Sequence, residues 1–99
     1  DNCRNYTVPP DTSNEGWRKI AARALTDLKN YKPDLIAVSA GFDAYKRDPL
    51  CQQKLEIADY NWIARQLRQL KTPLMSILEG GYSNDLPKLI LAYLNGLLK

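Results

Sequence analysis

The spacing of apolar residues predicts three helices, and the first follows the pair Pro9-Pro10. Apolar positions recur there every three or four residues, which is typical of a helix with one buried face. Thr12 and Glu15 have the spacing of a capping box, with Thr12 as the N-cap, and Lys32-Pro33 ends the helix. Its predicted apolar face consists of Trp17, Ile20, Ala21, Ala24, Leu25, Leu28 and Tyr31.

Two later helices show the same spacing. The last begins near Asp85 and accommodates Pro87 in its first turn, where a proline removes no helical hydrogen bond. The apolar face of the middle helix consists of Tyr60, Ile63, Ala64, Leu67 and Leu70. The last helix is expected to bury Leu86, Leu89, Ile90, Tyr93, Leu94 and Leu97.

Three stretches beside these helices are predicted strands. Residues 35–40 and 74–78 are largely apolar runs without polar alternation, which is typical of parallel strands buried on both faces. Residues 4–8, Arg-Asn-Tyr-Thr-Val, are shorter and partly β-prone. The resulting order β-α-β-α-β-α, with right-handed crossovers, predicts a three-layer α/β/α unit with parallel strands.

Composition limits the chain to one domain. Its 99 residues suffice for a single compact unit, so residues 1–99 are expected to form one α/β domain. The net charge of +3 is not clustered, and no apolar run reaches the roughly 18 residues of a membrane span, so neither nucleic acid nor a membrane is an expected partner. Cys3 and Cys51 are too few and too far apart for a disulfide-rich secreted domain, which favours a reduced cytoplasmic chain.

The chain contains no histidine, and this excludes more chemistry than its size does. A histidine general base, a Ser-His-Asp triad and a histidine-containing zinc site cannot be assembled from this chain alone. Any such chemistry needs histidines supplied from outside this sequence.

Two loops, residues 41–50 and 79–84, follow the two apolar strands and carry the candidate chemistry. Ligands of open parallel sheets bind at the carboxyl ends of the strands, so neighbouring strands would direct both loops into one crevice. Asp43, Asp48 and Tyr82 are its polar candidates. Structural roles stay open for all three, since Asp is an ordinary turn residue and Tyr82 can cover a sheet edge. Gly80-Gly81 also suggests phosphate binding before a helix, although no P-loop lysine follows.

The motifs in these loops resemble the zinc-dependent histone deacetylase family. Ser-Ala-Gly-Phe-Asp-Ala (39–44), Asp-Pro-Leu (48–50) and Leu-Glu-Gly-Gly-Tyr (78–82) are most similar to its class II and acetylpolyamine amidohydrolase-like members. Residues 5–17 fit a further family segment, with Asp11 in place of a glycine. The resemblance implies the C-terminal part of the arginase/deacetylase fold, about a third of the family's domain.

The resemblance also implies roles for the matched residues. Asp48 corresponds to a zinc-ligand aspartate, and Tyr82 to the tyrosine that stabilises the oxyanion formed when water attacks an acetyl carbonyl. A carboxylate oxygen suits Zn²⁺, which polarises the amide and acidifies water. Leu50, Gly80 and Gly81 are expected at the acyl-lysine channel, where the two glycines shape the backbone that presents Tyr82.

Four further positions take expected roles from the same resemblance. Asp43 and Glu79 belong to the motifs and are expected to support the metal site or the loop, without binding the metal. Tyr45 stands where many relatives have histidine, and Cys51 stands where glycine is usual. Both changes are expected to alter the channel wall.

The family's remaining zinc ligands and its tandem-histidine base are absent from this sequence. The leading hypothesis is therefore the C-terminal part of a zinc-dependent amidohydrolase for acetyl-lysine or acetylpolyamine. It would bind Zn²⁺ stably and become active only with the missing N-terminal part, supplied covalently or as another chain. The alternatives are a non-catalytic, self-associating α/β module, whose parallel strands leave exposed edges, and phosphate or nucleotide binding at Gly80-Gly81.

Overall fold

Two of the predicted strands and all three helices form. The structure is a computed structural model that describes residues 2–99. Its elements are α1 (Asn14–Tyr31), β1 (Ile36–Ala40), α2 (Ile57–Gln69), β2 (Leu74–Leu78) and α3 (Leu86–Leu98). Within residues 2–99, none of these helices is long and apolar enough to cross a membrane.

The two strands pair in parallel, from Ile36 opposite Leu74 to Ala40 opposite Leu78, and α2 makes the crossover between them. The α/β class is therefore confirmed. Burial on both faces is wrong for these strands. On one face, Ile36 and Ala40 of β1 are buried, although Leu78, which pairs with Ala40 on that face, is 55% exposed. On the other face, Met75 is 46% exposed and Ile77 is 51% exposed. Because strand side chains alternate between faces, one face of the sheet remains uncovered by residues 2–99.

The predicted strand at residues 4–8 is wrong, because this segment is irregular. Its side chains instead contact α1, where the Tyr6 hydroxyl donates a hydrogen bond to Asp27 and the Arg4 guanidinium lies 3.4 Å from the same carboxylate. An extended segment becomes a strand only beside a partner strand, and residues 2–99 place none next to it.

The predicted caps also need correction. Ser13, not Thr12, is the N-cap of α1, and its hydroxyl accepts the Gly16 N–H at 3.1 Å. The Thr12 hydroxyl donates to the Pro9 carbonyl at 2.6 Å, so no capping box forms with Glu15. A capping box occurs at α2, between residues 56 and 59. The Glu15 N–H, which a Thr12 cap would need, donates instead to the Asn14 side-chain oxygen at 3.0 Å. Ser, Thr and Asn side chains can each bond to nearby backbone groups, and the sequence spacing alone does not show which of them does so.

The core lies between the sheet and the pair α2 and α3. The close approach of these helices depends on Gly96, because a Cβ there would lie 2.6 Å from the Asn61 carbonyl oxygen and 2.7 Å from the Ala64 Cβ. Leu94 is 44% exposed, so its predicted burial is wrong. It lies about 100° around the helix from buried Tyr93, which points toward α2 and the sheet. The buried cluster is Ala40, Phe42, Tyr45, Leu55, Tyr60, Ala64, Leu67, Leu89 and Tyr93.

An ion pair joins α1 to α2. The Arg18 Nε lies 2.6 Å from the Asp59 carboxylate, whose side chain is 0% exposed against 34% for Arg18. The guanidinium also stands 4.9 Å from the ring centre of Trp62, and the Glu56 N–H donates to the second Asp59 oxygen at 2.8 Å. Because Asp59 is fully buried, its charge depends on these donors.

Arg18→Met tests this dependence while keeping much of the apolar stem. We expect a loss of about 2–3 kcal/mol in the free energy of unfolding, because Asp59 stays buried without its charged partner while Arg18 itself is partly exposed. The matched control is Lys46→Met, which breaks the exposed 2.7 Å pair with Glu56 and should cost less than about 1 kcal/mol. Equal losses in urea unfolding would contradict the assigned importance of the Arg18–Asp59 pair.

Candidate functional site

Both candidate loops leave the same end of the sheet, as neighbouring parallel strands require. Ala40 and Leu78 are paired at the last position of the register. Backbone pairing continues past the strands, with the Glu79 N–H donating to the Ala40 carbonyl at 3.0 Å and the Phe42 N–H to the Gly80 carbonyl at 2.8 Å. The two loops therefore start side by side with their backbones fixed.

The Asp48 carboxylate joins the two loops. One oxygen accepts the Leu50 N–H of its own loop at 2.9 Å, and the other accepts the Tyr82 N–H of the second loop at 2.9 Å. The residue is only 7% exposed. Both oxygens thus accept backbone N–H groups, and the carboxylate holds the two loops together.

Asp43 differs from Asp48 in its surroundings. No hydrogen bond from residues 2–99 reaches its carboxylate, which lies against the bare Cα of Gly80. A Cβ built on Gly80 would stand 2.8 Å from Asp43 Oδ2 and 3.4 Å from the Tyr82 hydroxyl oxygen. The unengaged carboxylate and the phenol therefore share the space that a side chain at Gly80 would fill.

Gly81 is required by the turn that leads to Tyr82. Its φ is +140°, which L side chains rarely adopt. A Cβ there would also lie 2.7 Å from a methyl of Leu86 and 3.1 Å from the Phe42 Cβ. The glycine pair thus serves two needs, since Gly80 leaves room for polar groups and Gly81 allows the turn.

The outer surface of the site is open. Tyr82 is 55% exposed, and Leu50, Cys51 and Glu79 are exposed too. Two cavities of about 750 and 550 Å³ lie instead between the N-terminal segment and α1, away from the loops. Leu50 therefore faces solvent, and no channel encloses it within residues 2–99.

Tyr45 is buried, so the expectation that it alters a channel wall is wrong. It is 2% exposed, and its hydroxyl donates to an Asp85 oxygen at 2.7 Å. This hydrogen bond raises the pKa of the Tyr45 phenol, because loss of the proton would bring two negative charges together. Sequence reasoning missed the contact, since the partners are 40 positions apart and no motif links them.

The Tyr60 hydroxyl lies in the core beneath the first loop and has no hydrogen-bond partner among residues 2–99. Burial raises the pKa of Tyr60, and the negative charge of Asp43 raises it further. The buried hydroxyl contributes no protein hydrogen bond to offset its loss of hydration.

Tyr60→Phe is expected to leave the free energy of unfolding unchanged or to raise it by up to about 1 kcal/mol, because it removes an unpaired buried hydroxyl. Tyr93→Phe is the matched comparison, since that hydroxyl bonds to Ser76 at 2.7 Å and its loss should cost about 1 kcal/mol. Urea unfolding of both variants measures the difference. A loss in Tyr60→Phe as large as in Tyr93→Phe would show that the Tyr60 hydroxyl has a partner.

Residues 2–99 do not fit a complete zinc site. They contain no group of three or more His, Cys, Asp or Glu side chains that could hold a metal ion, whereas zinc sites ordinarily use three or four protein ligands. Asp48 accepts two backbone N–H groups and keeps further lone pairs, whereas Asp43 accepts no hydrogen bond within residues 2–99. These loops can therefore contribute a carboxylate, but not a full set of ligands, to a metal centre.

The two aspartates should respond differently to amide substitution. Asp48→Asn places an NH₂ group against a backbone N–H, so we expect a loss of about 1–3 kcal/mol in the free energy of unfolding. Asp43→Asn removes no hydrogen bond and should stay within about 0.5 kcal/mol of the unmodified chain. Urea unfolding measures both, and a cost at Asp43 that equals the cost at Asp48 would contradict the distinction.

Known proteins share sequence similarity with most of this chain. The family model described as "Histone deacetylase domain" matches residues 1–97. The chain is 39% identical over 71 residues to a probable deacetylase of Methanothermobacter thermautotrophicus. This aligned region covers 71% of the chain and 22% of that protein. It is 32% identical over 79 residues to acetylpolyamine amidohydrolase 1 of Pseudomonas aeruginosa, and this aligned region covers 80% of the chain and 23% of that protein.

A solved structure shares the fold. The crystal structure of acetylpolyamine aminohydrolase from Burkholderia pseudomallei superposes with a TM-score of 0.90 at 26% identity, over 94% of this chain and 28% of that one. The chain thus spans less than a quarter of the length of these two curated relatives. By its sequence match over residues 1–97, the chain belongs to the histone deacetylase domain family.

Proposed function

We propose that this chain forms the oxyanion-binding part of a zinc-dependent deacetylase-like amidohydrolase that acts on acetyl-lysine or acetylpolyamine amides. One observation carries the proposal. The buried Asp48 carboxylate accepts the Tyr82 N–H, and both residues lie at the end of a parallel sheet where ligands bind. A carboxylate that can bind a metal ion and a phenol that can donate to an oxyanion are two groups that metal-assisted amide hydrolysis uses.

Within this proposal, Asp48 supplies the metal ligand, as the sequence predicts, and Asp43 supports the loop beside it without binding the metal. The support is that the buried Asp48 carboxylate lies where the two loops meet, and the N–H groups of Leu50 and Tyr82 fix its orientation. A carboxylate has about four lone-pair sites, so two backbone hydrogen bonds leave it able to bind a metal ion as well. Carboxylates that bind metals are themselves commonly hydrogen-bonded.

Tyr82 supplies the oxyanion donor. Its phenol is 55% exposed, while its backbone N–H donates to Asp48. The backbone of Tyr82 is therefore fixed, and its hydroxyl lies close to Gly80. A hydroxyl held there donates a hydrogen bond to the oxygen that gains charge as the amide carbonyl is attacked. Donors of this kind contribute about 3–4 kcal/mol to other acyl-transfer enzymes.

The rest of the site must come from outside these 99 residues. Zinc, when bound, would polarise the amide carbonyl and acidify the attacking water. The sequence has no histidine and residues 2–99 hold no three-ligand cluster, so the further ligands and the general base belong to a partner segment. The chain alone is therefore proposed to be inactive and to bind zinc weakly.

The partner segment is proposed to be the remaining part of a deacetylase domain. The chain covers 22–28% of its relatives' lengths, and the sheet face with Met75 and Ile77 is open to receive further structure. The same open face favours a second candidate, self-association of a non-catalytic module. Sedimentation at high concentration separates the two, because a module predicts concentration-dependent association and a strictly monomeric chain contradicts it.

A reducing, intracellular location is part of the proposal. Cys3 and Cys51 are both exposed and neither forms a disulfide. Free exposed thiols persist where glutathione and thioredoxin keep them reduced.

Reconstitution tests the proposed function. The chain is combined with the N-terminal portion of a related deacetylase domain, and hydrolysis of acetyl-lysine and acetylpolyamine amides is assayed with zinc. Tyr82→Phe should lower kcat by about 10²–10³-fold with the bound metal retained, because it removes one oxyanion donor. Zinc content is measured by elemental analysis of the same samples. Unchanged turnover in Tyr82→Phe rejects the oxyanion role.

The same reconstituted protein tests the carboxylate assignment. Asp48→Asn, measured below its unfolding temperature, should lower zinc affinity by about tenfold or more because it removes a charged ligand, whereas Asp43→Asn should retain zinc. Loss of zinc from Asp43→Asn with full retention in Asp48→Asn would overturn this assignment.

A further inference from the structure

We propose that Tyr45 is a positioning residue, whose hydrogen bond to Asp85 fixes the backbone that presents Tyr82. The inference rests on the proposed function of Tyr82. It adds a second side-chain contact to the one from Asp48, and it gives a role to a buried tyrosine that the motifs do not explain.

The loop between β2 and α3 is held at both of its ends. On the strand side, backbone pairing fixes Glu79 and Gly80 to the end of β1. On the helix side, Tyr45 holds Asp85, the N-cap residue of α3, at 2.7 Å. Tyr82 lies between these two ends, three residues before Asp85. The Tyr45 contact therefore holds the helix-side end of the loop that contains Tyr82.

Tyr45 and Asp48 act on this loop from one side. Both lie in the first loop, and they contact the second loop at the Tyr82 N–H and at the Asp85 carboxylate. The Tyr82 phenol is 55% exposed, so its own packing does not fix it within residues 2–99. The position of its hydroxyl then depends on where its backbone is held.

Packing alone does not explain a tyrosine at position 45. The ring is buried, and a phenylalanine would fill the same volume. The hydroxyl adds a contact to a carboxylate that two cations also face, Arg47 at 3.7 Å and Lys88 at 3.9 Å. Both cations are largely exposed, so their attraction to Asp85 is weakened by solvent. Of these three contacts to Asp85, the one from the buried Tyr45 hydroxyl is a hydrogen bond with a defined direction.

Tyr45→Phe is compared with Tyr93→Phe, which also removes one buried hydroxyl–side-chain hydrogen bond but lies away from the second loop, at Ser76. Amide hydrogen exchange is measured on the 99-residue chain. The Tyr82 amide should exchange at least about fivefold faster in Tyr45→Phe and within twofold of the unmodified chain in Tyr93→Phe. Equal effects of the two variants on this amide, or no effect of Tyr45→Phe, would overturn the inference.

A double-mutant cycle with Asp85→Asn identifies the partner. Once Asp85 is changed, Tyr45→Phe should accelerate exchange at Tyr82 by less than twofold further, since the contact is already weakened. Fully multiplicative effects of the two substitutions would show that Tyr45 acts through another group, and this result would overturn the inference.

Activity of the reconstituted enzyme supplies the last measurement. Tyr45→Phe should lower kcat by roughly tenfold with KM and zinc content unchanged, because the oxyanion donor is displaced while the other groups stay in place. Tyr93→Phe should retain kcat well below its unfolding temperature. If Tyr45→Phe accelerates exchange at Tyr82 but Tyr82→Phe leaves turnover unchanged, the positioning contact stands and the proposed function fails. An unchanged kcat in Tyr45→Phe, beside a large loss in Tyr82→Phe, overturns the inference alone.

Discussion

The buried Asp48 carboxylate is the contact on which the candidate site depends. A carboxylate that is 7% exposed needs donors, and it receives them from the backbone N–H groups of Leu50 and Tyr82. These donors belong to different loops, so satisfying the charge also fixes the distance between the loops. Asp48 thereby accepts a hydrogen bond on each oxygen, whereas Asp43 accepts none within residues 2–99.

The parallel sheet supplies the frame for this contact. Because β1 and β2 run in the same direction and end in register, both loops begin at one edge. The missing side chain of Gly80 then leaves a space bordered by the Asp43 carboxylate and the Tyr82 hydroxyl. The same sheet is bare on its second face, where Met75 and Ile77 are exposed. The sheet thus has an ordered end, where the loops begin, and an uncovered face. Both features agree with a chain that spans about a quarter of the length of its relatives.

The helices and the two apolar strands could be predicted from periodicity, and the loop motifs identified the family. The first strand could not be predicted correctly, because β-prone residues form a strand only beside a partner, and residues 4–8 contact α1 instead. Exposure at Leu94 depends on the helix packed against α3. The separation of Asp43 from Asp48 was equally inaccessible, since two aspartates in one loop look alike until their donors are known.

The sequence by itself determined the class of the fold, the location of the chemistry in two loops, and the absence of histidine, since periodicity, motif and composition are properties of the chain. The tertiary structure alone decided which aspartate is engaged and that Tyr45 contacts Asp85. Those facts depend on pairs that lie 34 and 40 positions apart. Hydrogen bonds between such distant residues form only when parallel pairing brings the strand ends together, so no local pattern encodes them.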